Sequence, residues 1–171
     1  TTEGDFFLKS NDIRHGDMFE AEAAGLQEMA ATETIRVPEV YCYGAAGQHC
    51  YILMEYLPVT GKADSRLLGE HLAAMHGVTA TEYGWYRDNT IGATPQHNQQ
   101  ENDWVTFWRE HRLRFQLELA ARNGYGGELQ SLGDRLMAAL PGFFGSYRPE
   151  ASMLHGDLWS GNYGGLEDGT P

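Results

Sequence analysis

Positive charge is what this 171-residue chain has least of: Lys and Arg number 12 against 24 Asp and Glu, a formal net charge of −12. Such a balance repels nucleic acid and anionic lipid, so neither is expected as a partner. Cysteine is almost missing as well. Cys42 and Cys50 cannot build the disulfide framework of a small secreted domain, and burial as free thiols in a reducing compartment is the expectation, although both flank one loop and could face one another across it. No apolar run approaches membrane-spanning length, and the opening TTEGDFF lacks the basic and apolar regions of a signal peptide. A soluble, cytoplasmic setting follows as an expectation. Internal repeats and low-complexity segments are lacking too.

What is present suits a globular chain: 42% hydrophobic and 12% aromatic residues, enough to bury a core in one domain or in two small lobes. The most informative stretch is Met153–Asn162, MLHGDLWSGN. His155-Gly156-Asp157 followed five residues later by Asn162 has the H-x-D-x-x-x-x-N spacing of a kinase catalytic loop. There the aspartate accepts the proton of the attacking hydroxyl and the asparagine holds magnesium. The spacing lets the two side chains face different reactants. Without Asn162, the tripeptide would read as an ordinary turn capped by Asp157.

The opening FFLKS reads as a short buried strand ending on Lys9, the place of a strand lysine that pairs with nucleotide phosphates, or else a solvated strand end. Asp17 and Glu20 form a capping-box-like helix start, and Phe19, Ala23, Leu26 and Ala30 then follow one face. Glu22 lies roughly 60° from the centre of that stripe and Glu20 roughly 100°, so Glu22 is the carboxylate best placed to lean inward and hold Lys9. Two apolar runs around a Gly-rich loop at Gly44–Gly47 predict an antiparallel hairpin. Its second strand leaves through Met54-Glu55-Tyr56-Leu57-Pro58. In a two-lobed kinase this is the hinge, where the Glu55 carbonyl and the Leu57 N–H bond adenine and Met54 packs behind; a strand end with a turn fits the local pattern equally.

Leu68, Leu72 and Met75 mark a helix ending at His76, a histidine favourably set against the helix dipole. The stretch 83–102 has no helical or strand period. Its aromatic and amide side chains, Asn89 and Gln96 among them, suit a polyhydroxy ligand. Asp103 is the expected N-cap of a helix whose stripe is Trp104, Trp108, His111, Phe115 and Leu119. Leu129, Leu132, Leu136 and Leu140 predict another helix, stopped by Pro141-Gly142.

Taken in order, FEAEAAGL at Phe19–Leu26, ILMEYL at Ile52–Leu57, LGEHLAAMH at Leu68–His76, DNTIGATPQHN at Asp88–Asn98, DWVTFWREHRLRFQLELA at Asp103–Ala120 and LHGDLWSGN at Leu154–Asn162 resemble the fructosamine kinases, also called ketosamine 3-kinases. Trp159-Ser160 is the discriminating pair within the loop. The resemblance implies an α+β, two-lobed protein-kinase-like fold, with a small antiparallel-sheet lobe at residues 1–57 and a mainly helical lobe at 58–171. It implies ATP and Mg2+ as cofactors and a small-molecule or protein-bound ketosamine as substrate, phosphorylated on the sugar 3-hydroxyl in protein deglycation. Residue by residue, it makes Asp157 the base, Asn162 the metal ligand, and Lys9 with Glu22 the phosphate contact. Trp159, His155, Asn89 and Gln96 stand as candidates for the sugar side. Against the family pattern, the fold is expected to be incomplete at both ends: the strands and phosphate-covering loop before Lys9 are missing. Asp168 is expected to be a turn residue, the second metal-binding aspartate lying beyond Pro171. Two other readings stay open: an aminoglycoside- or choline-type kinase, and a catalytically incomplete fragment that binds nucleotide or sugar.

Overall fold

The computed structural model describes residues 4–171. Its contacts divide the chain into two compact units, one of residues 1–78 and 153–171 and the other of residues 79–152. The lobe boundary expected at Pro58 lies inside the first of these.

The first unit is built on a three-stranded antiparallel sheet in the order β1-β3-β2, from β1 (Phe6–Asp12), β2 (Val40–Ala46) and β3 (His49–Glu55). β3 alternates strictly, with Cys50, Ile52 and Met54 buried, as a central strand covered on one face must. The cover is α1 (Gly16–Ala31), whose Phe19 and Ala23 complete the core with Met18, Leu26 and Val40 packed around it. Residues directly opposite in an antiparallel pair share a face. Lys9 lies opposite Ile52, so its side chain is on the α1 side of the sheet.

Several expectations change in detail. β1 is an edge strand, and Phe6, Phe7 and Leu8 are exposed rather than buried. The helix starts without a side-chain cap, Asp17 standing in its first turn. The hairpin turns at Gly47-Gln48, where Gly47 has φ +61°, while Gly44 lies within β2. Cys42 opposes Leu53 and Cys50 opposes Ala45, so the cysteines do not meet; both are free, Cys50 buried and Cys42 exposed. α2 (Ser65–His76) is capped by Asp64, whose carboxylate accepts from the backbone N–H groups of Arg66 and Leu67 at 2.8 and 3.1 Å. Met75 is its fully buried residue.

The second unit opens and closes on a two-residue ladder, β4 (Thr79–Ala80) with β7 (Ala151–Ser152). The stretch expected to lack periodic structure contains a small hairpin, β5 (Asn89–Ile91) and β6 (Thr94–Gln96), and a bridge between Tyr83 and Glu101. Its strands of three residues are too short to leave a period. Asp103 caps α3 (Trp104–Trp108) as expected, accepting from Thr106 N–H at 2.7 Å. The long helix, however, is interrupted by a π-helical segment, Arg109–Arg114, before α4 (Phe115–Arg122). Phe107 and Leu117 are its buried residues, in place of the expected stripe. α5 (Glu128–Phe144) runs through Pro141 and buries Gly133, Met137 and Leu140, while Leu129, Leu132 and Leu136 are exposed. Gly133 belongs to that face: a Cβ there would meet Leu117 Cδ1 at 2.4 Å, so a larger residue would force the Leu117 side chain to shift. Among the described residues no helix is long and apolar enough to cross a membrane.

Candidate active site

Two backbone contacts deliver the His-Gly-Asp stretch into the first unit. Met153 N–H donates to Val78 O at 2.9 Å, just past α2, and farther on Thr60 N–H and Oγ1 both donate to Gly165 O at 2.8 and 2.9 Å. The second contact explains the glycine pair Gly164-Gly165. A Cβ on Gly164 would meet Val59 Cγ1 at 2.0 Å, and one on Gly165 would meet Lys62 O at 2.3 Å. The segment after Leu57 and the end of the loop are therefore packed backbone to backbone.

Between these anchors the loop folds on itself. Asn162 Nδ2 donates to Asp157 O at 2.8 Å and to Asp157 Oδ2 at 3.0 Å, and Asn162 N–H donates to Trp159 O at 2.8 Å. The carboxylate and the amide thus converge, and each still has an oxygen that can face a different reactant. Because Nδ2 is turned to Asp157, the amide oxygen of Asn162 and Oδ1 of Asp157 are the donors left for a ligand. Asp157 N–H donates to His155 Nδ1 at 3.3 Å, which fixes the imidazole at the entrance to the turn. Trp159 is 59% exposed and its ring lies over Gly161, where a Cβ would meet Cη2 at 2.4 Å. Hard oxygen donors of this kind suit magnesium, which takes one or two protein oxygens and completes its shell with phosphate and water. Among the described residues no group of three or more His, Cys, Asp or Glu side chains forms a self-sufficient metal site. Asp168 is a turn residue, as expected: its carboxylate accepts from Thr170 N–H at 2.9 Å, which holds its pKa below the ordinary carboxylate value.

Lys9 Nζ and Glu22 Oε1 form an ion pair at 2.5 Å between β1 and α1. Register on one side and helix phase on the other aim both groups at the same face of the sheet. At the end of β3 the Glu55 carboxylate accepts from Arg36 Nη2 and, at 3.1 Å, from Glu39 N–H. Burial opposes ionisation of Glu55, yet these donors leave its pKa below the ordinary value. Met54 is buried against α1, and Leu57 N–H has no hydrogen-bond acceptor among the described residues. Lys9, Glu22, Met54, Glu55, Leu57, His155, Asp157, Trp159 and Asn162 all belong to the first unit.

Asn89 and Gln96 do not; they lie in the second unit and bond to one another. Asn89 Oδ1 accepts from Gln96 Nε2 at 3.0 Å and from Asn98 Nδ2 at 2.8 Å. Asn98, 3% exposed, is the hub of this network: its backbone N–H reaches Asp88 Oδ1 at 2.8 Å and its Oδ1 accepts from Arg112 Nη2 at 2.7 Å. Sequence reasoning missed both Asn98 and Arg112. An asparagine just past a short strand and an arginine in a helical pattern look like surface residues until the π-helical turn aims one at the other.

A strand lysine clasped by a helix glutamate, in one α+β unit with a loop that folds a carboxylate onto an asparagine amide, defines a protein with a kinase-like fold. Comparison with known proteins agrees. The fructosamine kinase family profile matches residues 1–171, and the chain belongs to the fructosamine kinase family. It is 41% identical over 172 residues to a probable ketoamine kinase of Synechocystis sp., covering 99% of this chain and 57% of that one. It is also 41% identical over 175 residues to a chloroplastic protein-ribulosamine 3-kinase of Oryza sativa subsp. indica, covering 100% and 51%. Among solved structures, a candidate fructosamine-3-kinase from Haemophilus somnus 129PT superposes with a TM-score of 0.86 at 29% identity, over 97% of this chain and 56% of that one. The chain thus spans about half the length of the curated relatives it matches.

Proposed function

We propose that the protein is an ATP-dependent kinase acting on the 3-hydroxyl of a sugar attached to an amine, a ketosamine. The observation that carries this reading is the contact of Asn162 Nδ2 with Asp157 Oδ2 in a unit that also holds the Lys9–Glu22 pair. Asp157 Oδ1 orients the acceptor hydroxyl and takes its proton. Asn162 turns its amide oxygen to a magnesium ion, which when bound neutralises charge developing on the transferred phosphoryl group. Lys9 engages the nucleotide phosphates, and Glu22 keeps the ammonium on the correct face. The Glu55 carbonyl and Leu57 N–H bond the adenine edge, with the Arg36–Glu55 pair fixing the segment. Trp159 offers an exposed ring for the C–H face of a sugar, and His155, which accepts from the Asp157 N–H, is a second candidate for that side. Phosphoryl transfer asks for little covalent chemistry from protein, so alignment and charge neutralisation supply most of the acceleration.

The test is magnesium-dependent ADP release in a coupled assay with a synthetic fructosamine, run beside an aminoglycoside and choline as alternative acceptors. Loss of a general base typically costs 10²–10⁴ in rate, so Asp157→Ala is expected to lower kcat by about that factor while nucleotide affinity stays nearly constant. Comparable turnover by the variant would remove Asp157 from the mechanism. Product from the alternative acceptors alone would move the substrate assignment.

A further inference from the structure

The second unit holds a cavity of about 260 Å³ between the β5–β6 hairpin and the π-helical segment. Ile91, Pro95 and Phe115 form its apolar wall, and Gln96, His111 and Arg112 its polar one. Arg112 is the unusual member. Its neighbours Arg109 and Arg114 both pair with Glu110, at 2.8 and 2.5 Å, whereas among the described residues no carboxylate forms an ion pair with Arg112. Its acceptors are neutral: Nη1 donates to the carbonyls of His97 and His111, and Nη2 to Asn98 Oδ1. That occupies three of the five N–H groups of a guanidinium and leaves Nε and one Nη2 hydrogen. Burial pushes the guanidinium pKa below its ordinary value, with only the more distant charge of Asp88 opposing it. A cation held by carbonyl oxygens, over the Phe107 ring at 4.6 Å, is rigid, and among the described residues its nearest acid, Asp88, reaches it only through Asn98. Charges taken out of water are normally paired. A π-helical turn, rare in itself, often marks a functional position.

We infer that this cavity is a binding site for a small carboxylate with an apolar body, the carboxylate on Arg112 and the body against Ile91, Pro95 and Phe115. The planar fork of arginine matches a carboxylate through two parallel N–H groups. Gln96 already spends its amide N–H on Asn89, so its Oε1 faces the ligand as an acceptor for a hydroxyl or amine on the same molecule. The volume sets the size: a cavity of about 150 Å³ takes benzene, so an aromatic or short-chain acid fits here. This site lies within the second unit and does not depend on the kinase reading.

The test is an NMR titration of the intact 15N-labelled chain with sodium benzoate, benzamide and inorganic phosphate. Benzoate is expected to shift amides of residues 91–97 and 109–116 saturably, with a Kd on the order of 1 mM or tighter, while benzamide, its neutral isostere, does not. Gln116→Glu sets a negative charge on the cavity rim from an exposed position and is expected to weaken benzoate binding about tenfold. Arg112→Lys keeps the charge and loses the fork, with at least the same loss expected. Equal binding of benzamide, saturation by phosphate but not benzoate, or indifference to Gln116→Glu in a variant with an unchanged spectrum would overturn the assignment.

Discussion

At the scale of single residues, the same kind of contact carries different weight depending on what surrounds it. The Lys9–Glu22 pair has side chains 46% and 27% exposed, and a surface pair of this sort contributes about 0–1 kcal/mol to stability. Its weight is expected in binding instead. Lys9→Met should leave the thermal midpoint within a few degrees and raise KM for ATP at least tenfold, read by steady-state kinetics with ATP varied. A large loss of stability with unchanged KM would make the pair structural. Glu110 is a clearer electrostatic case, because hydrogen bonds from Arg114 and then Arg109 hold its pKa at about 2, against an ordinary 4.5. A depressed folded-state pKa stabilises above the unfolded value, and that stability is lost as pH falls through the folded one. The thermal midpoint of the natural chain is therefore expected to fall more steeply between pH 4.5 and 2 than that of Glu110→Gln, as calorimetry at stepped pH would show. All three side chains are about a third exposed or more, so the difference is of order 1 kcal/mol or less. The contacts of the candidate site were legible at this scale where short-range rules apply. Helix phase picks out Glu22 from its neighbours, and Asp157 with Asn162 lie in one loop. Arg112 and Asn98 were not legible, since fourteen residues and a change of helix type separate them.

Among elements, the strands were easier to foresee than the helices were to delimit. β3 alternates cleanly because one face is covered by α1 and its neighbours are fixed on both edges. The leucines of α5 misled: their spacing is helical, but the buried face includes Gly133 against Leu117, and a glycine carries no weight in an apolar pattern. A β-branched side chain there cannot avoid Leu117 by its own rotamer, since its Cβ already overlaps the Cδ atoms, so Leu117 itself must move. Gly133→Val is expected to cost about 1–3 kcal/mol, measured by urea denaturation, and the double variant with Leu117→Ala to recover part of it. Additive losses would show that the two helices do not meet through this pair. The π-helical segment escaped for a related reason. One extra residue in a turn changes which side chains face inward without altering composition.

For the molecule as a whole, family membership was readable from six short stretches in order, and the comparisons bear it out over residues 1–171. The bipartite arrangement was less visible, because the sequence shows a change of character at Pro58 while contacts gather residues 1–78 with 153–171. Those two stretches meet where Met153 N–H donates to Val78 O and where Thr60 N–H and Oγ1 both donate to Gly165 O, and the ladder of β4 with β7 closes the stems of the second unit. Seventy-four residues, 79–152, thus begin and end on paired strands. A segment hung on such adjacent stems can be lengthened, shortened or exchanged without rethreading the three-stranded sheet.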